Sequence, residues 1–441
     1  MKRLSLLFMS FIFLVPAAGL LAAVDQPSRT AVERLKSPDA NIRARAAREL
    51  GKSSDAASIS ALQAALADPD VKVRREVVFS LAAIHKPATL QPLAAASRDG
   101  DAGVRSIAIQ SMVGYYTGQT PEPGFTGFMK KNAQRAKSLF VDDDTQIDPG
   151  VSVDPVVLAA LQNDLSEPRS VRVQRDSARG LGILMARQAV PDLVKAAYST
   201  DVDLARQALN SLVKIKDTSA GPKLIDLLDS HNRDVKQDAA VAVGILRAHE
   251  AVPKLESIFQ NNMDKAIKEK ALKGLAYLGD PSSTGLFAKE LWSQNKAFRI
   301  ASAEGLGRAG DEKYVAELQK AEIAEKDGDA RLAMQFGVTA LGKDDFLNNL
   351  IQNLDTKQRG DAAQAYLVEL AHNPQFLPKL YPYLSSNDAT VRRRLAVVLV
   401  TTGDNTSIAP LQTLSHDSNS DVASAALRAL RAIRARAGAS R

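Results

Sequence analysis

The sequence predicts an all-α fold, a right-handed α-solenoid of about twelve helix–turn–helix units. Three observations predict it: a period close to 31 residues, a helix-start signal in most periods, and a composition poor in aromatic residues. The chain is 45% hydrophobic but only 5% aromatic. Its core must therefore be built mainly from Ala, Leu, Val and Ile, which let helices pack closely.

The period is marked by an apolar anchor position that recurs along the 441 residues. Its spacing is 31 or 32 residues, apart from one gap of 69, one of 35 and two of 29. Such a period is typical of stacked supersecondary units. The anchors are Leu50, Leu81, Met112, Leu181, Leu212, Val243, Leu275, Leu306, Leu341, Leu370, Leu399 and Leu430.

The first helix of each unit ends near its anchor. Positions four and eight residues before the anchor are small or apolar, which places them on one face with the anchor. Eleven residues before it stands a residue whose side-chain oxygen can accept a free amide of the first turn. These N-cap candidates are Asp39, Asp70, Asp101, Ser170, Asp201, Asn232, Asp264, Asn295, Asp388 and Asn419.

A second helix follows each first helix after a short turn, as in "AVPDLVKAAY" and "AVPKLESIF". Pro191, Pro222 and Pro253 recur at its start, where the missing amide proton has no cost. Neither helix can bury its apolar face alone, so the units must stack. A partial helix near Ala31–Leu35 begins the array, and a first-type helix over Asp421–Ala437 ends it.

This pattern resembles HEAT repeats, specifically the short variety known from phycobilin lyases, over about Pro38 to Leu430. The resemblance implies an armadillo-type α-solenoid. This repeat occurs in scaffolds, chaperone-like lyases and a few enzymes, so the resemblance implies one of these functions without selecting among them.

Seven basic residues lie four positions after the N-cap of a first helix. We expect each to pair with its own cap residue at i,i+4, supplemented by the cap of the next repeat. The alternative is a basic ladder for an acidic ligand. The seven are Arg43, Arg74, Arg105, Lys236, Lys268, Arg299 and Arg392.

Residues 1–23 have the features of a secretory signal peptide. The cationic start "MKR" precedes an apolar run from Leu4 to Leu21, with small residues near Ala22 for cleavage. We expect an exported protein, periplasmic or secreted; the alternative is an uncleaved segment that anchors the chain in an inner membrane. The predicted solenoid then covers 24–437, and 438–441 form a short basic tail.

The net charge of +7 does not predict a nucleic-acid partner, because a nucleic-acid groove needs a distributed basic stripe. Most of the excess lies in the last helix, where Leu427, Leu430 and Ile433 are expected to face inward. Membrane association is expected only through an uncleaved signal or this Arg-rich C-terminus, and the chain is expected to be monomeric. The terminal arginines are Arg428, Arg431, Arg434, Arg436 and Arg441, and the first four are expected to face water.

The sequence predicts no catalytic residue, no cofactor and no enzyme activity. The absence of cysteine excludes disulfides, thiol nucleophiles and zinc–thiolate sites. Only neighbouring units touch in a solenoid, so ligands must come from one or two repeats. His231 and His416 lie six repeats apart, and His85 and His249 lie five apart.

An insertion at about residues 117–152 interrupts the third repeat. Loops of this length in compact folds are often functional. Helical spacing from Phe125 to Phe140 predicts a short amphipathic helix, whose apolar face either packs on the solenoid or lines a ligand groove. The aromatic residues that would bind a partner are Tyr115, Tyr116, Phe125, Phe128 and Phe140.

The acidic run "KSLFVDDDTQIDPG" ends this insertion and is predicted to be a turn, with "DPG" at its end. An EF-hand is excluded, because Ile147 and Val153 stand where glycine and a bidentate glutamate are required. An irregular calcium site is the alternative. Its candidate ligands are Asp142, Asp144 and Asp148.

The sequence therefore predicts an exported scaffold or binding protein that holds a protein or peptide along its concave face. The alternative is an enzyme, or a lyase-like accessory subunit of one, with a site beneath the 117–152 insertion.

Overall fold

The computed structural model describes residues 26–118 and 146–439. These residues form α-helices, 3-10 helices and turns, and no strand occurs among them. The chain divides into two compact units, Met1–Met129 and Lys130–Arg441. In each unit, helices stack in consecutive pairs, which confirms the predicted all-α solenoid class.

The described part of the first unit contains a partial helix, two complete helix pairs and the first helix of the third repeat. Its helices are α1 (Gln26–Arg34), α2 (Ala40–Leu50), α3 (Ala56–Ala65), α4 (Val71–Ile84), α5 (Leu90–Ala96) and α6 (Ala102–Thr117).

The second unit continues the same alternation of longer first helices and shorter second helices. Two of its second helices are 3-10 helices, over Thr218–Asp229 and Leu377–Ser385. The α-helices are α7 (Pro155–Ser166), α8 (Val171–Ile183), α9 (Val190–Ala197), α10 (Val202–Ile215), α11 (Arg233–Ile245), α12 (Val252–Asn261), α13 (Lys265–Leu278), α14 (Thr284–Glu290), α15 (Lys296–Ala309), α16 (Val315–Ala324), α17 (Gly328–Ala340), α18 (Leu347–Gln352), α19 (Gly360–Ala371), α20 (Ala389–Thr402), α21 (Ile408–Leu414) and α22 (Ser420–Ala439).

First helices of neighbouring repeats pack directly on each other. Glycine allows the closest approaches: a Cβ at Gly274 of α13 would lie 2.1 Å from the carbonyl oxygen of Ala240 on α11. A Cβ at Gly307 of α15 would lie 2.7 Å from Cα of Gly337 on α17. These positions therefore need glycine because the backbones themselves are in contact.

The predicted register is confirmed except in one repeat. Anchors such as Leu50, Leu181 and Leu306 are fully buried, and all ten predicted N-cap side chains accept a helix amide. Leu341 was assigned wrongly. Asp327 caps α17, so the equivalent anchor is Val338 and the spacing there is regular. Both residues are buried, which is why apolar character alone could not separate them.

The last helix also differs from its prediction. Leu427 was expected to face inward, but 49% of its surface is exposed. The guanidinium of Arg436 was expected to face water, but it donates to the carbonyl oxygens of Val400 and Gly403, at 2.6 and 2.7 Å. Burial lowers the pKa of Arg436. This helix is therefore tied to the repeat before it.

The basic residues four positions after the N-cap do not pair with their own caps. Four arginines instead bind an acid two positions before the next N-cap, at Nε–oxygen distances of 2.6 or 2.7 Å. The same guanidiniums donate to carbonyl oxygens five and six residues earlier, in the turn before their own helix. We call this arrangement the arginine clamp. The pairs are Arg43–Asp68, Arg74–Asp99, Arg299–Glu325 and Arg392–Asp417.

The direction of helical side chains explains the difference. A side chain near a helix start leans toward the N-terminus, so a long arginine passes its own cap and reaches the preceding turn. The cap carboxylate is already engaged with helix amides. Arg105 makes the same carbonyl contacts, to Asp99 and Gly100. Lys268, which lacks the planar fork, lies 5.2 Å from the ring of Phe259 instead.

Replacing Arg299 by methionine should lower the free energy of unfolding by about 2 kcal/mol, because it leaves the buried Glu325 carboxylate without its cation. The exposed pair of Arg169 with Glu167 is the control. Arg169→Met should change stability by less than about 0.5 kcal/mol. Urea unfolding of the three proteins measures both values; equal effects for the two variants would contradict the clamp.

Candidate functional site

Two of the five aromatic residues predicted to bind a partner lie in the described part of the chain. Tyr115 and Tyr116 are at the end of α6, and both are half-buried. The ring of Tyr115 lies 4.8 Å from that of His85 and 5.0 Å from that of Tyr116. The first unit thus carries a small, partly exposed aromatic cluster. The other three, Phe125, Phe128 and Phe140, lie outside the described residues.

The acidic candidates are divided in the same way. Asp142 and Asp144 lie outside the described residues. The carboxylate of Asp148 binds the guanidinium of Arg428 on α22. In the described ranges, no group of three His, Asp or Glu side chains could hold a metal ion. The one described member of the proposed calcium set is therefore engaged with an arginine.

One side of the first helices of the second unit carries a series of charged and aromatic side chains, some buried and some half-buried or exposed, which we call the first-helix face. In most repeats, the side chains of this face stand 2, 5, 6, 9 or 13 residues after the N-cap of their helix. Because the repeats stack, equivalent positions of neighbouring helices lie side by side. The residues that define it are Arg175, Asp203, Arg206, Asp238, Lys270, Lys273, Tyr277, Glu304, Arg308, Glu369 and Arg394.

Ion pairs link neighbouring helices across this face. Three of its six defining cations meet a carboxylate of the adjacent repeat rather than one of their own helix. These bonds fix the helices' relative positions as well as neutralising charge. The pairs include Arg175–Asp203 at 2.5 Å, Arg206–Asp238 at 2.6 Å, Lys296–Asp329 at 3.0 Å and Arg394–Asp361 at 2.7 Å.

Asp238 is a buried carboxylate at the centre of this series. Only 5% of the residue is exposed, and Nε of Arg206 donates to it. Burial raises the pKa of Asp238 to about 6, and the attraction of Arg206 offsets only part of that effect. Lys270 lies on the next helix. Burial and the neighbouring Lys273 lower the pKa of Lys270.

A second cluster joins repeats that are two steps apart. The Arg308 guanidinium on α15 donates to Glu369 on α19 at 2.8 and 3.0 Å, and to Glu304 at 3.1 Å. The hydroxyl of Tyr366 donates to the other oxygen of Glu304 at 2.5 Å. The rings of Tyr277 and Phe336 lie 4.8 and 5.3 Å from the guanidinium carbon.

The electrostatics of this cluster favour fixed charges over proton transfer. Burial alone would lower the pKa of Arg308, but Glu304 and Glu369 more than offset it and raise that pKa. Burial, together with Glu304, raises the pKa of Tyr366 well above its ordinary value. Arg308 therefore remains a cation and Tyr366 a hydrogen-bond donor. The cluster can therefore position helices and aromatic rings.

Sequence reasoning missed this cluster. Glu304 and Arg308 have i,i+4 spacing, which was the available signal. The partner Glu369 lies 61 residues further on, two repeats away, and no periodic pattern indicates which repeat an arginine will reach.

The raised pKa of Asp238 predicts a pH dependence of stability. The folded state binds this proton more tightly than the unfolded state, where the ordinary value is 3.8. The wild type should therefore gain stability relative to Asp238→Asn as the pH falls from 7.5 to 4, by up to about 3 kcal/mol. Urea unfolding of both proteins across this range measures the difference. A pH-independent difference, or one of opposite sign, would contradict the assignment.

In 26–118 and 146–439, no helix combines the length and the apolar character needed to cross a bilayer.

Comparison with known proteins finds similarity in the repeats. A family model described as HEAT repeats matches residues 28–113, 155–244 and 344–435. The phycocyanobilin lyase subunit alpha of Nostoc sp. strain PCC 7120 is 26% identical over 168 residues, which are 35% of this chain and 61% of that protein. The chain thus matches less than two thirds of the length of this curated relative.

Two solved structures illustrate the structural likeness. Importin beta is 12% identical with a TM-score of 0.41, and the match covers 92% of this chain and 71% of that chain. The CpcE–CpcF complex of phycocyanin lyase from Nostoc sp. PCC 7120 is 18% identical with a TM-score of 0.25, over 71% of this chain and 94% of that one. At such values, neither likeness indicates what this chain binds. The family-model match covers more than half of the 441 residues, and the chain therefore belongs to the HEAT-repeat family.

Proposed function

We propose that this protein is an exported HEAT-repeat scaffold that holds a protein or peptide partner along the first-helix face. The observation that carries the proposal is the set of inter-repeat bonds on that face. They hold charged and aromatic side chains of successive helices at fixed spacing before any partner binds. A pre-ordered surface loses little conformational entropy on binding, which favours recognition of an extended segment.

Lys270 and Lys273 are the groups that such a partner would meet. Both lie on α13, and neither forms an ion pair with another described residue. The Lys273 ammonium lies 5.8 Å from the ring of Tyr277. A carboxylate of the partner would relieve the repulsion between the two lysines, and the adjacent ring offers apolar contact. The proposed partner is therefore an acidic peptide segment.

We also propose that the aromatic residues around the insertion bind a partner in their own right. Tyr115 and Tyr116 support the idea, because both are partly exposed and form one cluster with His85. Tyrosine is enriched among residues that dominate binding energy.

Export is part of the proposal. It is supported by the cationic start and apolar run of residues 1–23. Cleavage would give a periplasmic or secreted monomer, and retention of the segment would give a membrane-anchored form. Fractionation of cells that produce the full chain, with and without residues 1–23, distinguishes these cases; full-length protein in the cytoplasm would contradict export.

A second candidate function is an accessory subunit of an enzyme with a site beneath the 117–152 insertion. The support is the similarity to a phycocyanobilin lyase subunit over 35% of this chain. A chromophore or other small molecule that copurifies with the protein in stoichiometric amount would favour this candidate over the scaffold.

Site-specific cross-linking tests the scaffold. A photoreactive residue at position 273, on the first-helix face, should give a discrete adduct with a partner protein in the producing cells. The same residue at Lys195, exposed on second helix α9, is the matched control and should give none. Lys270→Glu should reduce the adduct. Equal adducts from positions 273 and 195 would contradict the proposed face.

A further inference from the structure

Three large apolar side chains are exposed where consecutive repeats of the second unit join. Met263 is 98% exposed, Trp292 45% and Ile323 80%. Each lies in, or next to, the turn from a second helix to the next first helix. Equivalent turns of stacked repeats are neighbours, so the three side chains are exposed at consecutive turns. We call Met263, Trp292 and Ile323 the turn row.

The contacts of Trp292 show that its surface continues into the next repeat. Its Nε1 donates to the carboxylate of Glu317 at 3.2 Å, and Nζ of Lys320 lies 5.8 Å from its ring. Glu317, Lys320 and Ile323 follow each other at three-residue intervals on α16, so they lie on adjoining parts of the helix surface. Trp292 and Ile323 therefore belong to one patch.

The arginine clamp holds this patch rigid. The guanidinium of Arg299 donates to the carbonyl oxygens of Ser293 and Gln294, directly after Trp292, at 2.9 and 3.3 Å. It also binds Glu325, two residues after Ile323, at 2.6 and 3.1 Å. One side chain thus fixes both turns, and the spacing of the two apolar residues is set before binding.

The same geometry occurs at Tyr198. Tyr198 and Trp292 both stand three residues before a first-helix N-cap, and Tyr198 is 46% exposed. Its hydroxyl donates to the carbonyl oxygen of Lys223 on the next second helix at 2.7 Å. An aromatic side chain with a bonded polar end and an exposed apolar ring is thus presented at this position in two repeats. Such side chains are enriched at protein interfaces.

The charges around the turn row indicate the chemistry of its partner. Lys289, Lys320 and Lys326 are exposed, and none of them forms an ion pair with another described residue. These cations complement carboxylates. However, Glu317 contacts the indole itself, and a carboxylate at that point opposes insertion into an anionic membrane surface. The combination favours a protein segment over a lipid surface.

We propose that the turn row is a second docking surface, distinct from the first-helix face, which takes an amphipathic segment of a partner protein that combines apolar anchors with carboxylates. Its apolar side chains would cover Trp292 and Ile323, and its carboxylates would meet the surrounding lysines.

Trp292 is the only tryptophan of the chain, so its fluorescence reports on the patch directly. A displayed library of random 12-residue peptides is selected for binding to the full chain. Peptides that also bind the Ile323→Ser variant are removed. Enriched peptides should combine Leu, Ile or Phe with Asp or Glu. Titration of a synthetic enriched peptide should shift the Trp292 emission to shorter wavelength.

Variants that retain Trp292 separate the apolar contribution to binding from the contribution of charge. Ile323→Ser should weaken peptide binding by about tenfold or more, as loss of a central apolar contact does. Lys320→Glu should also weaken it, and a peptide with Lys in place of its carboxylates should restore binding to that variant. Leu427→Ser, at a similarly exposed leucine of α22, is the control and should bind as the wild type does.

Several outcomes would overturn the proposal. One is that the selection yields no peptide that combines apolar and acidic residues and binds the wild type more strongly than it binds Ile323→Ser. Another is an emission shift with vesicles that contain phosphatidylglycerol but not with peptide, which would assign the patch to a membrane. A shift that depends on the concentration of the chain alone would assign it to a second copy of the protein.

Discussion

The arginine clamp is the interaction that fixes two joints of the second unit, including the one that presents Trp292 and Ile323. A helix pair cannot bury its apolar face alone, so the joint between repeats decides how the stack is built. At two joints of this unit, one guanidinium binds two carbonyl oxygens of the turn before its helix and the acid of the next turn. It neutralises a nearly buried carboxylate while satisfying backbone groups that no helix can satisfy.

The two surfaces of this unit are held by different bonds. Across the first-helix face, cations of one repeat meet carboxylates of the next at joints that the clamp does not span. Contact between helix backbones at Gly307 and Gly337 brings α15 and α17 close together. Arg308 can then reach Glu369, two repeats away, between the rings of Tyr277 and Phe336. The clamp of Arg299 fixes the turns that present Trp292 and Ile323.

Sequence periodicity was enough to predict the helices, their N-caps and most buried anchors, because these depend on contacts within a few residues. It failed where the direction of a side chain decides which residue that side chain contacts. Arg299 stands four residues after Asn295, which suggested a local pair, yet its side chain leans past the cap toward other turns. Glu369 could not be assigned to Arg308, because the choice of repeat depends on backbone spacing. The turn row could not be predicted for a similar reason: in the sequence, apolar residues near helix ends cannot be distinguished from core residues until their exposure is known.

Hydrogen exchange at the turns tests the central role of the clamp most directly. The amides of Lys326 and Asp327 donate to the Glu325 carboxylate that Arg299 holds. In Arg299→Met, exchange should accelerate at these amides and in the turn around Ser293. It should be unchanged at Asn419, whose turn is held by Arg392 through Asp417. Unchanged exchange at Lys326 and Asp327, or equal acceleration at Asn419, would contradict the account.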